Sequence, residues 1–447
     1  METPNKGDSR WGSLFKNDLQ GMLLPILLIT IIGSVNIFSA TYISSIYENT
    51  GLLGYFLKHM TFLLLSMAVG VILYRYDYRQ LQKPHMLQRI MIVTLIGMIL
   101  VLVIGAVING ARRWIVIGPV SIQPSEFAKL AALIWTAAEL STMRKWGKPR
   151  HINPLINLQG YFSERISYML PMLIWPTIFA GLTILQPDMG TTVLIFGFSF
   201  VLIYLAGFDG KFFGGAFAIA GFLGFIAARM SPYRWERIQS WFDPWPHAQD
   251  MGYQTVQGLL AVGSGGILGE GFMQGTSKYF YLPEAHTDFA FAVWAQEMGF
   301  IGAVFVVVLI AAFTYFGFRI SNKARDEFGK WLAMGITLLI SGQALFNIAM
   351  VCGIMPVTGV PLPFVSYGGS SLLMNFMAIG LLASIGRRNV EGVKPVGTAE
   401  PLPSLREETQ SRFKPAATTR TNKTNMPGPF KPRSSKKSTR RQTKFER

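Results

Sequence analysis

The chain has 447 residues, of which half are hydrophobic and only 15% charged, with a formal net charge of +17. A soluble chain of this length divides into two or three domains with about a quarter of its residues charged, so an ordinary soluble architecture is excluded. The basic excess would suit nucleic-acid binding, but 14 of the 41 Lys and Arg residues fall in one terminal tail and 19 of the other 27 fall on the same predicted side of the membrane.

Residues 1–21 mix Lys6, Arg10 and Lys16 with Glu2, Asp8 and Asp18, and the apolar run behind them is too long for the core of a cleaved signal peptide. The first helix is therefore expected to remain as an anchor. Ten apolar runs follow, at 22–44, 54–74, 86–108, 123–143, 167–185, 190–207, 211–229, 286–318, 330–352 and 366–386. A bilayer crossing takes roughly 20 residues. The seventh run is diluted by Gly214, Gly215, Gly221 and Gly224, and is kept because small residues suit close helix packing in a membrane. The predicted fold is an all-α polytopic membrane protein with a transmembrane domain over 22–390.

The tail, 391–447, holds 14 Lys/Arg against 5 Glu and is rich in Pro, Ser and Thr, a composition that cannot bury a core. It is expected to be disordered, brushing anionic lipid or docking a cytoplasmic partner. The single cysteine, Cys352, excludes an intrachain disulfide. Ten spans place both termini on one side, and 33 of the 41 basic residues fall there. The remaining eight are Lys58, Arg112, Arg113, Lys129, Arg229, Arg234, Arg237 and Lys278. The positive-inside rule then puts both termini in the cytoplasm. There is no internal repeat of the kind that builds two-halved transporters.

Basic residues on the outer side work against that rule and call for a reason. Arg112-Arg113-Trp114 leads to Gln123-Pro124-Ser125-Glu126 and Lys129. Pro124 is placed to open the fourth span, with Glu126 and Lys129 on one face a turn inside the membrane. Such a pair is either a self-neutralising structural contact or a functional one. Gln186-Pro187-Asp188-Met189-Gly190 forms a tight outer turn. The long outer segment 230–285 begins Tyr233-Arg234-Trp235-Glu236-Arg237, and its apolar stretch 253–262 is too short to span, which suits a re-entrant or interfacial helix between spans seven and eight. Guanidinium forks such as those of Arg234 and Arg237 match phosphate oxygens.

The segment closes on Pro283-Glu284-Ala285-His286-Thr287-Asp288, and with Pro283 in a first helical turn Glu284 and Asp288 would share a face. Asp288, flanked by His286 and Thr287, is either a proton acceptor in a cleft or a helix-capping carboxylate. A last outer linker, 356–371, carries three prolines, Ser366-Tyr367 and paired glycines, and reads equally as a rigid lid or a packing elbow.

These motifs together resemble the SEDS family (shape, elongation, division and sporulation). The matching stretches are RRWIVIGPVSIQPSEFAK at 112–129, QPDMGT at 186–191, GYQTVQGLLAVGSGG at 252–266, YLPEAHTDFAF at 281–291 and PVTGVPLPFVSYGGSS at 356–371. Within the family, YRWERIQSWFDPW and YLPEAHTDF lean towards the FtsW branch over the RodA branch, and Gln296 departs from a Glu common among relatives. The resemblance implies a ten-helix fold and a peptidoglycan glycosyltransferase acting on lipid II in cell division or elongation. It also implies a class B penicillin-binding protein as partner, within a divisome or elongasome.

That chemistry needs a base near a sugar hydroxyl and positive charge near a departing pyrophosphate. Asp288 is the candidate base. Arg112, Lys129, Arg234, Arg237 and Lys278 are candidates for the pyrophosphate, with Glu126, Asp188, His286, Thr287 and Ser366 lining the substrate site. A divalent cation, Mg or Mn, is implied by relatives, although no metal-ligand spacing is legible. No nucleotide-binding glycine motif is present, and nucleic acid is not an expected partner. The competing readings are a lipid II flippase and a non-catalytic scaffold.

Overall fold

The computed structural model describes residues 17–391 apart from 48–50, 52, 109, 119, 143–156, 209, 231 and 280. The N-terminal residues 1–16, the basic loop residues Arg144, Lys145, Lys148 and Arg150, and the tail beyond 391 lie outside the described residues. Twelve α-helices are described: α1 Asp18–Tyr47, α2 Gly54–Arg75, α3 Pro84–Ile104, α4 Pro124–Thr142, α5 Leu158–Leu185, α6 Met189–Leu205, α7 Gly210–Arg229, α8 Pro232–Phe242, α9 Tyr253–Ser264, α10 Ala290–Asn322, α11 Glu327–Val351 and α12 Gly369–Glu391. Among the described residues, seven helices are long and apolar enough to cross a membrane: α1, α2, α3, the 163–185 part of α5, α10, α11 and α12. The shorter apolar α6 joins them. The two remaining predicted spans coincide with α4, whose hydropathy is lowered by charges inside it, and with the glycine-rich α7.

Lipid-facing and central helices separate by burial. In α2 and α3 only 22% of the most apolar window is buried, against 61% in α11 and 72% in α12, so the latter pair forms the centre. The exposed side chains of α2 and α3 are aliphatic (Leu64, Ile72, Val93, Ile96), as an apolar solvent permits. Central packing uses small residues: a Cβ on Gly33 of α1 would fall 2.0 Å from the Phe364 carbonyl oxygen. One on Gly380 of α12 would fall 2.4 Å from the Gly70 carbonyl oxygen of α2. Glycine is required at both because backbones touch.

The helical expectation holds for the bundle, and one short stretch between spans departs from it. The third run, predicted to 108, leaves the helix at Ile104, and residues 106–122 form a three-stranded antiparallel sheet in the order β1 (Ala106–Ile108), β2 (Ala111–Ile117), β3 (Val120–Ile122). Ala106 opposes Trp114 and Ile115 opposes Ile122, with a bulge between Ala106 and Val107. Val, Ile and Trp favour the pleated surface. Gly110 (φ 75°) and Gly118 (φ 59°) supply the positive φ that the tight hairpins need.

A second correction concerns the mouth of α10. Pro283 does not open a helix: Glu284 is left-handed (φ 55°), residues 281–289 are turns, and the helix starts at Ala290. α10 is also broken at Gly299 (φ 65°, ψ −167°). There Glu270 and Gly271 N–H donate to the Gln296 and Glu297 carbonyls (3.0 and 3.1 Å), and Phe300 and Ile301 N–H donate to Gly266 and Ile267 (2.9 and 3.3 Å). The break is thereby satisfied inside the protein, as irregular backbone at membrane depth must be. The expected short helix is α9, 12 residues and about 18 Å long, packed on α10.

Ion pairs define one end of the bundle. Asp18 pairs with Arg319 (2.9 Å) and Lys323 (2.6 Å), Asp77 with Arg388 (3.0 Å), and Asp326 with Arg79 (3.1 Å). The start of α1, the end of α12 and the α2–α3 and α10–α11 connections therefore share this end. The starts of α4, α6, α10 and α12 lie at the other.

Candidate functional site

The second end is organised around Asp288, immediately before α10. Its backbone carbonyl accepts from Asn347 Nδ2 (2.8 Å), and the same amide donates to the Val360 carbonyl (2.7 Å). One turn earlier on α11, Gln343 Nε2 donates to the Pro361 carbonyl (2.9 Å). Gln343 and Asn347 are four apart and so share a helix face. Together they hold the proline-rich linker beside the α10 mouth. At Gly359 (φ 72°) a Cβ would lie 3.3 Å from Asp288 Oδ2, so the linker backbone comes close to the carboxylate. On its other side the linker meets α6, where a Cβ on Gly190 would fall 2.5 Å from the Thr358 carbonyl oxygen.

That contact brings in Asp188, the buried N-cap of α6, which accepts from Thr191 N–H (3.0 Å) and from Gln123 Nε2 (3.4 Å). Arg113 on β2 donates to the Gln186 carbonyl (3.1 Å) and to the Pro187 carbonyl. Both acceptors are neutral, so the guanidinium charge is not cancelled there. Below lies the buried pair Glu126–Lys129 (2.9 Å), with Lys129 also donating to Gln343 Oε1 (2.9 Å). Glu126 Oε2 is buried with no hydrogen-bond partner among the described residues.

Asp288 precedes the first spanning residue of α10, and its carboxyl is pushed up to about 7. Burial is the largest cause, followed by the negative fields of Glu284 and Asp188; Arg113 opposes them and Glu126 adds a little. A carboxylate in that range is matched to proton transfer near neutral pH.

The remaining predicted residues divide. His286 packs against Tyr55 and Tyr367 (ring centroids 5.8 and 5.7 Å), and its carbonyl accepts from Tyr367 N–H (2.8 Å). Thr287 donates to Glu284 Oε2 (2.5 Å). Ser366 accepts from Leu362 N–H (2.8 Å), a bond internal to the linker, which makes it a positioning residue. Arg112 is exposed and donates to the Leu102 and Val103 carbonyls (both 3.3 Å), capping the end of α3. Its neighbour Arg113, set aside in the sequence, is the arginine whose field reaches Asp288.

Lys278 is a correction. It is buried on Glu297 (2.8 Å) and Ser39 (3.1 Å), so its charge is spent structurally. Arg237 is exposed on α8; Arg234 sits on the same helix, with its side chain outside the described set. Sequence reasoning also missed Gln123, Gln343, Asn347 and Gly359. Only the spacing of Gln343 and Asn347, two amides on one face of an apolar run, signalled the last group. Among the described residues no three His, Cys, Asp or Glu side chains converge to hold a metal ion.

Residues 20–391 match the family model for cell cycle proteins of the FtsW, RodA and SpoVE type. The chain belongs to the FtsW/RodA/SpoVE family. The stage V sporulation protein E of Bacillus subtilis is 34% identical, the alignment covering 83% of this chain and 97% of the relative. The probable peptidoglycan glycosyltransferase FtsW of the same organism is 32% identical over 81% of this chain and 89% of its own. Among solved structures of the family, a chain of a peptidoglycan synthase complex that coordinates polymerisation and crosslinking superposes with a TM-score of 0.65 at 27% identity, covering 83% of this chain and 98% of that one. RodA of Thermus thermophilus superposes with a TM-score of 0.56 at 25% identity, covering 85% and 99%. The polytopic helical membrane fold is common to the family and to this chain.

Proposed function

We propose that the protein is a peptidoglycan glycosyltransferase that polymerises lipid II on the outer face of the cytoplasmic membrane. In this reading ten spans place both termini in the cytoplasm, which the shared bundle end of α1 and α12 and the distribution of Lys and Arg support. The observation that carries the activity is Asp288: its half-buried carboxyl is raised to about 7 beside the Gly359 backbone, and its main-chain carbonyl is held by Asn347.

Asp288 takes the proton from the acceptor sugar hydroxyl as that oxygen attacks the anomeric carbon of the donor. The bond from that carbon to the pyrophosphate oxygen breaks, and the polyprenyl pyrophosphate leaves with its negative charge. Arg113, held by neutral carbonyls, supplies an uncancelled positive charge on the same side, and the Glu126–Lys129–Gln343 layer closes the floor against water. No step is routed through a metal ion. A class B penicillin-binding protein is the proposed partner, crosslinking the strand made here. The carboxylates around Asp288 and the amides of Gln343 and Asn347 that hold the linker gather towards one end of the bundle, whereas a flippase would need such a polar path through its full depth, which favours the polymerase.

The test is purified protein with lipid II, scored for glycan product on a gel, for wild type and Asp288→Asn. Product at wild-type rate from the Asn variant would remove Asp288 from the mechanism and send the search for a base to Glu284 or Asp188. A reporter near residue 245 reading cytoplasmic would sink the topology.

A further inference from the structure

A cavity of about 460 Å³ opens at the ion-paired end of the bundle, between the start of α3 and the end of α4. It is some 19 residues of α4, about 28 Å, away from the Asp288 end. Its lining mixes Arg79 and Lys83 with Glu139, over a wall that includes Leu87 and Trp135. Lys83 is exposed and Glu139 is half-buried. Neither has an ion-pair or side-chain hydrogen-bond partner among the described residues, although both line one cavity. The cavity thus offers an occupant cationic groups and a carboxylate together. A ligand carrying both charges would satisfy each.

The apolar side of the cavity continues into the membrane. Gln88 lines the cavity, and Ile92 and Ile96 follow it at four-residue steps on the same face of α3, 50% and 57% exposed. Trp135 is anchored by its Nε1 to the Pro171 carbonyl (2.8 Å), and tryptophan favours the depth where headgroup meets chain. Lysine binds phosphate as a point charge, and Lys83 stands at the N-cap of α3, where the helix dipole adds positive potential.

We propose that this cavity binds the headgroup of a zwitterionic phospholipid bearing a primary ammonium, a phosphatidylethanolamine. The phosphate sits against Lys83 and Arg79, the ammonium donates to Glu139, and one acyl chain follows Gln88, Ile92 and Ile96. Arg79 keeps its Nε on Asp326 and so holds the site to the α10–α11 connection. The site does not depend on the polymerase reading, because it lies at the opposite end of the bundle.

The experiment uses the full chain in detergent. Equal mole fractions of phosphatidylethanolamine, phosphatidylcholine and phosphatidylglycerol are added, and retained lipid is counted by native mass spectrometry. Wild type should retain phosphatidylethanolamine about tenfold over the other two, a ratio within reach of one charge-assisted hydrogen bond. Glu139→Gln keeps its size and should lose the preference for the primary ammonium while keeping anionic lipid. Lys83→Ala, at an exposed position, should weaken retention of all three about tenfold, and both variants should still polymerise lipid II. Equal retention of the three lipids by wild type overturns the proposal, as does an unchanged preference in Glu139→Gln. Protection of the protein from heat by soluble glycerophosphoethanolamine, as strong as by the lipid, would assign the cavity to a soluble phosphate ester and overturn the lipid.

Discussion

The two ends of the bundle treat their charges differently. At the end shared by α1 and α12, Asp18, Asp77 and Asp326 each meet an arginine or lysine within 3.1 Å. At the other end, Glu284, Asp188 and Glu126 all act on Asp288 with Arg113 opposing them, and Glu126, though paired with Lys129, keeps an oxygen without a hydrogen-bond partner among the described residues. Paired partly exposed charges fix where helices meet at little energetic consequence. Burial and the neighbouring carboxylates raise the energy of the ionised form of Asp288, which is useful where a proton moves. The contrast separates architecture from chemistry without reference to any relative.

The sharpest way to break that contrast is Asp288→Asn. Asparagine preserves shape but accepts no proton, so polymerisation should fall about 10²–10⁴-fold, with fold and co-purification of the penicillin-binding protein retained. Almost as large, but on stability, is Lys278→Ala. It strands Glu297 in the interior and should destabilise by roughly 3–5 kcal/mol in a denaturation assay. Lys278→Met combined with Glu297→Gln should recover most of that loss; failure to recover would mean that the pair does more than brace the loop.

Next comes pH. The Asp288 carboxyl moves from an ordinary 3.8 to about 7 on folding, so the folded state holds its proton more tightly than the unfolded state. Its effect on stability is therefore favourable below pH 4, and ΔG of unfolding should decline from there to pH 7 and then level off. Over the same window activity should rise with pH, because only the ionised form is a base. Asp288→Asn should flatten its share of the stability profile. A wild-type rate that is constant from pH 5 to 8 would contradict the assignment.

A smaller effect is expected for Gly359→Ala, which forces a Cβ into a left-handed position and to 3.3 Å from Asp288 Oδ2. It should cost about 1–2 kcal/mol of stability, with kcat falling more than KM rises. Least of all is Asp18→Asn, where Lys323 is exposed and Arg319 partly so, and the change should stay below about 1 kcal/mol by thermal shift.

Much of this was legible in the sequence where the signal is local. Apolar runs located the helices to within a few residues, Pro124 opened α4, and the turn at 186–188 placed Asp188 on a helix start. What failed was tertiary. The strand at 106–108 looked like the end of an apolar span because three residues are too few for alternation to show. The partner of Lys278 was hidden because Glu297 is 19 residues away, across the turns that precede α10. Pro283 suggested a helix start, since nothing in the sequence shows that Glu284 is left-handed. Arg113 and Arg112 are indistinguishable as letters, and only the side of β2 each occupies tells them apart.

The interruption of α10 has a mechanical meaning. An unbroken span would behave as a rod, so any displacement of its outer third would be felt at the ion-paired end. With the span jointed at Gly299, the buried 290–297 is a short lever with a direction of its own, held by Asn36 on the Ala290 carbonyl (2.8 Å) and by the Lys278–Glu297 pair (2.8 Å). The pin of this joint is the pairing of Phe300 and Ile301 with Gly266 and Ile267. Unlatching it leaves two amides deep in the span without acceptors, so their deuterium uptake reports how often the lever swings. A partner that grips the outer segment would register there as slower exchange, far from any surface it touches.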